Sequence, residues 1–395
     1  MIATAGPCHG YRATAILLMR LYFSCLLIVF LLASPTAFAE SMLAPQPAAQ
    51  AWLLVDYHSG RVLAEYHADQ RREPASLTKL MTAYVLFKQL QTRKLDLDAK
   101  ALISAQAWGM SGTRMYTRLN DRVRVEDLIK GMVVQSGNDA TMALMEHAAG
   151  SQANFVQWMN AEAVRLGMNA THFTNGTGLI QADHYSSARD IYRLTVALIH
   201  DFPEYYQRWY GLKEFSYAGL TQYNRNTLLS RVPGADGVKT GHTRNAGFCL
   251  VGSAVRANMR LVVIVLGAAD EAARGDAGAS LLEFGFREYE TRLLYQAQMP
   301  AINVHVWMGH LDTLPAGLGQ DVYLTMARGD FHKLQANIVV DHAPTAPIKQ
   351  GEAIGRVALV LDNKPIGNYA LLALRDVDQG NVVQRALDQV HMWLQ

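Results

Sequence analysis

Three short segments, Ser76-Leu77-Thr78-Lys79, Ser136-Gly137-Asn138 and Lys239-Thr240-Gly241, each occur once in this chain and in that order. Singly they say little: a helix N-cap followed by a solvated lysine, a turn, and the end of a surface strand. Together they constrain the fold, because they supply complementary parts of one reaction and must then meet in one cleft. A serine hydroxyl attacks a carbonyl only when a base within reach takes its proton. Positions i and i+3 share a helix face, so Lys79 falls one turn along from Ser76. At a helix start, Ser76 also meets free backbone N–H groups and the positive end of the helix dipole. A lysine serves as base only when burial or a neighbouring cation depresses its pKa, and Lys239 can be that cation. Ser136 and Asn138 sit at a break between helices. There Ser136 can pass a proton to a departing amine, and Asn138 can hold either a substrate amide or the Lys79 ammonium. Lys239 and Thr240 suit a substrate carboxylate, while Gly241 lets a substrate backbone come close.

The rest of the sequence narrows the context. At 395 residues the chain is long enough for two domains. A formal charge of +2, with no basic tract, gives no electrostatic case for nucleic acid. Arg20 precedes an apolar run, Leu21 to Leu32, that leads to Ala37-Phe38-Ala39. This is read as an export signal over residues 1–39, cut before Glu40. Cys8 and Cys25 would leave with it, so Cys249 remains alone in an apolar strand, as a core thiol without a disulfide partner. The 13 histidines show no metal-ligand spacing, and neither a metal nor an organic cofactor is expected.

Periodicity predicts a hairpin from Ala51–Val55 and Arg61–Tyr66 around His58-Ser59-Gly60, then a helix from Ser76 to about Gln91. Helices dominate from Val125 to Gly167, broken at residues 135–138. Ser187-Ala188-Arg189-Asp190 reads as a capping box. Three strands follow, over 237–241, 246–255 and 260–267, and a helix over 272–290. The fold class is therefore α+β, with an early hairpin and late strands in one antiparallel sheet and a separate helical lobe. From Ile302 to Leu374 short apolar runs between Gly, Asp and Pro predict a small all-β domain. The expected division is 40–298, 299–375 and a terminal helix over 376–395. That helix carries Val383, Leu387, Val390 and Leu394 on one face, and so packs on its own protein or lies in a membrane surface.

Five longer segments carry a family resemblance: Pro74–Thr82, Gln135–Ala140, Asn175–Leu179, His184–Asp190 and Gly237–Thr243. With them the chain resembles the low-molecular-mass penicillin-binding proteins, the exported D-alanyl-D-alanine carboxypeptidases of bacterial cell walls. The resemblance implies a β-lactamase/DD-peptidase-like catalytic domain followed by the β domain and helix. It implies Ser76 as acylated nucleophile, Lys79 as proton acceptor and Ser136 as relay. Lys239 and Thr240 bind the terminal carboxylate, with Arg225 and Arg274 as further charge partners. The N–H groups of Ser76 and His242 form the oxyanion hole. The implied partners are peptidoglycan stem peptides and β-lactam antibiotics, in the periplasm, with the terminal helix docking on the inner membrane. That helix has one arginine, Arg385, against Asp376, Asp378 and Asp388 nearby, so it departs from the family's basic pattern. A class A β-lactamase, the nearest rival, would need an E-x-x-L-N segment between Ser136 and Lys239, which the sequence lacks. A D-Ala endopeptidase shares these motifs.

Overall fold

The computed structural model describes residues 43–341 and 344–394; the expected export signal and its cleavage point lie outside them. Strands β1 (Ala51–Asp56) and β2 (Val62–Tyr66) form the expected hairpin. A 3₁₀ turn, Ala75–Thr78, then runs into helix α1 (Lys79–Gln91), so Ser76 lies in the tight turn and Lys79 opens the α-helix proper. A short pair, β3 (Lys100–Leu102) and β4 (Arg122–Arg124), frames a loop. The helical lobe continues with α2 (Val125–Lys130), α3 (Asn138–Ala149), α4 (Gln152–Arg165), α5 (Ala188–Asp201) and α6 (Pro203–Trp209). A hairpin of β5 (Glu214–Tyr217) and β6 (Leu220–Tyr223) projects beyond it. Strands β7 (Ala235–Thr243), β8 (Gly247–Arg256) and β9 (Met259–Ala268) return to the first sheet, and α7 (Glu271–Glu288) follows.

That sheet is antiparallel in the order β2-β1-β9-β8-β7, which leaves β7, the Lys-Thr-Gly strand, at an edge. Both faces of the sheet are covered. On β1 and β9, Leu53, Val55, Val262 and Ile264 face the helical lobe, while Trp52, Leu54, Val263 and Val265 face the side packed by α7. This explains why the β1 run AWLLV shows no polar alternation: a strand buried on both sides needs none. Cys249 is buried in β8, where burial pushes its thiol up to about 11.

The Ser187 hydroxyl accepts from the Asp190 N–H at 3.1 Å and caps α5, as expected. The Asp190 carboxylate does not complete the reciprocal half of a capping box; it accepts from Ala170 N and Thr171 Oγ1 instead. Beyond α7, β10 (Tyr289–Tyr295) pairs with a later strand, and β11 (Pro300–His305) and β12 (Thr313–Gly317) begin a second sheet. β13 (Val322–Ala327) is the partner of β10. β14 (Leu334–Val340), β15 (Ala353–Leu361) and β16 (Lys364–Ala373) complete the second sheet around its own core. Helix α8 (Val382–Leu394) closes the described chain, and none of its residues is buried. Its apolar face is not covered by any of the described residues. Its Asp388 carboxylate accepts from the Met308 N–H at 2.6 Å and ties it to the β domain.

Candidate active site

The turn carrying Ser76 is shaped by what surrounds it. Ala75 adopts a φ of +48°, unusual for a residue with a Cβ. Two glycines let neighbouring chain close on this turn. A Cβ on Gly178 (φ +82°) would lie 1.8 Å from the Ala75 carbonyl oxygen. One on Gly241 of β7 would lie 2.9 Å from the Ser76 nitrogen. The close approach that Gly241 permits is thus to the serine's own amide.

Lys79 is buried, and its Nζ stands 3.0 Å from Ser76 Oγ. It also donates to Asn138 Oδ1 and to the Thr177 carbonyl, both at 2.7 Å. Of the two roles open to Asn138, the structure gives it the lysine. Burial, then the Lys239 cation, hold Lys79 well below the ordinary lysine value, with Asp139 opposing. Burial, then Arg225 and Arg274, bring Lys239 down to about 7. Its Nζ donates to the Thr240 carbonyl at 2.9 Å.

Ser136 is delivered by an irregularity that periodicity does not reveal. Residues Gly131–Gln135 form a single π-helical turn ending at Ser136, whose φ of +67° is left-handed. Such turns interrupt helices chiefly at functional positions, and the strain must be held by the surroundings. The Ser136 hydroxyl is buried and, among the described residues, has no hydrogen-bond partner.

These groups meet at a cleft of about 350 Å³. Ser76, Ser136, Thr240, Gly241, His242, Arg225 and Arg274 line it, with Lys79, Asn138 and Lys239 buried beside it. His242 is exposed and stacks on Phe248 at 4.0 Å between ring centroids. Arg274 donates to Glu271 and to the Arg225 carbonyl, at 2.8 and 3.2 Å. The cleft therefore gathers cations around a serine hydroxyl paired with a buried lysine, an arrangement suited to a substrate that bears an anion.

Sequence reasoning did not find the loop before β4. Gly112, Thr113, Arg114 and Tyr116 line the cleft as well. The loop is pinned by Asp139, whose carboxylate accepts from the N–H groups of Met115 and Thr117 and from the Thr117 hydroxyl. Asn138 completes the junction, donating from Nδ2 to the Ser111 carbonyl at 2.7 Å. The Thr177 carbonyl was likewise not anticipated. Asn175 Oδ1 fixes it by accepting from the N–H groups of Thr177 and Gly178. Asp139 and Asn175 stand in two of the segments that carry the resemblance, and those blocks were the available signal.

Comparison with known proteins shows the family. A family model described as D-alanyl-D-alanine carboxypeptidase matches residues 38–270. The chain belongs to the D-alanyl-D-alanine carboxypeptidase family. It is thus a carboxypeptidase acting on D-alanyl-D-alanine ends. A second model, the C-terminal domain of penicillin-binding protein 5, matches residues 289–379, over the β domain. The carboxypeptidase DacC of Escherichia coli is 38% identical over 374 residues, 91% of this chain and 93% of that protein. Penicillin-binding protein 5 of Haemophilus influenzae superposes with a TM-score of 0.80 at 37% identity, covering 85% of this chain and 99% of its own. Penicillin-binding protein D2 of Listeria monocytogenes, solved in an ampicillin-bound form, shares 30% identity and a TM-score of 0.57 over 62% of this chain and 99% of its own. Among the described residues, no helix is long and apolar enough to cross a membrane.

Proposed function

We propose that this carboxypeptidase works through an acyl-enzyme on Ser76, removing the terminal D-alanine of peptidoglycan pentapeptide stems. Lys79, as the neutral amine, takes the Ser76 proton while the oxygen attacks the penultimate D-alanine carbonyl. The oxyanion that forms is held by the N–H groups of Ser76 and His242. Ser136 hands its proton to the departing amine and takes a replacement from the Lys79 ammonium, and D-alanine leaves. Water, giving its proton to the again neutral Lys79, then hydrolyses the ester and returns Ser76 to its hydroxyl form. Lys239 and Thr240 bind the terminal carboxylate, with Arg225 and Arg274 adding positive charge. Gly241 keeps β7 close to the nucleophile, and the free edge of β7 can pair with the extended stem. Penicillin, which presents a strained carbonyl and a carboxylate in a similar relation, acylates the same serine. We assign catalysis to residues 40–298, with 299–375 as an accessory β domain.

The observation that carries this reading is the 3.0 Å approach of a buried, pKa-depressed Lys79 to Ser76 Oγ, at a cleft whose lining includes Arg114, Arg225 and Arg274. The test is release of free D-alanine from a peptide ending in Lys-D-Ala-D-Ala, with Ser76→Ala as control. Release that disappears in the variant is expected; release that persists would exclude Ser76 as nucleophile.

We place the enzyme in the periplasm on the strength of the signal-like segment 1–39. Helix α8 exposes Val383, Leu387, Val390 and Trp393, a surface suited to peripheral docking on the inner membrane. Co-sedimentation with vesicles, lost on deleting residues 382–395, tests this.

A further inference from the structure

Behind the Ser76 turn runs a buried hydrogen-bond chain that the scheme above does not use. His184 Nδ1 accepts from the Thr174 N–H at 3.0 Å, which puts the ring proton on Nε2. Nε2 is 2.8 Å from Thr78 Oγ1. The Thr78 hydroxyl donates its single proton to the Ala75 carbonyl, also at 2.8 Å. Its lone pairs are then left to accept from His184. The chain thus has one direction, from imidazole N–H to hydroxyl to carbonyl. His184 and Thr78 are buried, and burial brings the imidazole down to about 4, so the ring is neutral where the enzyme works.

The Ala75 carbonyl belongs to the same peptide unit as the Ser76 N–H. That unit is planar and trans, so its carbonyl and N–H point in opposite directions. Whatever holds the Ala75 oxygen therefore aims the Ser76 N–H. The left-handed Ala75 backbone, φ +48°, does not favour this arrangement by itself, so it must be held from outside. Gly178 presses on the carbonyl side and Gly241 on the amide side, but neither donates a side-chain hydrogen bond.

We propose that His184, acting through Thr78, is a positioning residue that aims the Ser76 N–H into the oxyanion hole. Its effect falls on the tetrahedral transition states of acylation and deacylation, and not on substrate binding. The inference rests on the proposed role of Ser76, and the test separates the two.

The full-length protein and its Thr78→Val, His184→Leu and His184→Gln variants are compared on a matched pair of ester substrates, with oxygen or sulfur at the scissile carbonyl. Penicillin acylation is followed in parallel by mass spectrometry. Sulfur accepts hydrogen bonds poorly, so an intact oxyanion hole favours the oxygen substrate. Complete loss of one such donor costs on the order of 10²–10³ in rate, and misaiming it should cost about 10-fold. Thr78→Val and His184→Leu are expected to lower kcat about 10-fold with KM unchanged, and to shrink the oxygen-over-sulfur preference by a similar factor. His184→Gln, which keeps a side-chain N–H, should recover most of both. Unchanged kcat in Thr78→Val would overturn the proposal. So would a loss of kcat with the oxygen preference intact and a lowered Tm, the mark of a loosened turn. If the wild-type protein forms no adduct on Ser76, the nucleophile assignment falls and this one with it. An adduct in wild type and normal kinetics in Thr78→Val sink this one alone.

Discussion

Two buried polar clusters in this molecule are built on opposite terms. At the junction between the first sheet and the β10–β13 pair, Asp56 accepts from the Ser59 N–H and hydroxyl and from the Thr291 hydroxyl, each at 2.8 Å. Thr325 stands 2.6 Å from Ser59 Oγ and 2.8 Å from Thr291 Oγ1, and its carbonyl accepts from Arg61. Every hydroxyl proton there has an acceptor within reach. In the cleft, Lys79 and Lys239 are buried, each pKa is depressed, and the Ser136 hydroxyl has no partner among the described residues. Buried polar groups that are satisfied hold a structure together. Charging a buried lysine that has no matching anion destabilises it, which is the strain expected of groups kept for chemistry: Lys79 as a base and Lys239 for an anionic substrate, in the reading proposed above.

The sharpest way to break this contrast is to exchange the effects. Lys79→Ala should lower kcat/KM by about 10²–10⁴, the usual worth of general base catalysis, with the folded state retained in circular dichroism. Lys239→Met should raise KM for D-Ala-terminated peptide by about 10–100-fold, the scale of one lost charged hydrogen bond. It should also make the protein more stable. A lysine lowered to about 7 in the folded state and near its ordinary 10.5 when unfolded binds more protons unfolded between those limits. Its cost to stability is therefore fully present below about pH 7 and relieved as pH rises toward 10.5. Denaturant melts should show Lys239→Met above wild type at pH 6 and the gap closed near pH 10. The same titration predicts that KM of the wild-type enzyme rises above about pH 7, as the site loses the charge that binds the carboxylate. Asp56→Ala should do the reverse of Lys239→Met: about 1–3 kcal/mol less stable, because buried donors lose their acceptor, with kcat and KM unchanged. Thr325→Val should follow at about 1 kcal/mol. A junction variant with normal stability and altered kinetics would show that the two clusters are not separate in function.

The cleft was legible in the sequence where side chains of distinctive chemistry carry it. Ser76, Lys79, Ser136, Asn138, Lys239 and Thr240, far apart in the sequence, lie at or beside one cleft, and the strands and helices of the first domain fall close to their periodic signals. Main-chain contributions were not legible. Any residue supplies a carbonyl, so the Thr177 and Ser111 oxygens that receive Lys79 and Asn138 leave no compositional trace. The π-helical turn before Ser136 escaped because one widened turn barely disturbs a helical pattern. The β5–β6 hairpin did offer a signal, alternation on either side of Ala218-Gly219, and was missed among the helical segments around it. In the terminal helix the apolar face is correct, but periodicity cannot say whether such a face is covered.

The central claim is a covalent intermediate on Ser76. Its most direct test is to acylate the full-length protein with penicillin, digest it with trypsin and locate the added mass. The account predicts one penicilloyl group on the peptide spanning residues 73–79, at Ser76, and no adduct in Ser76→Ala. A label on any other residue, or none on a folded protein that still releases D-alanine, would contradict it.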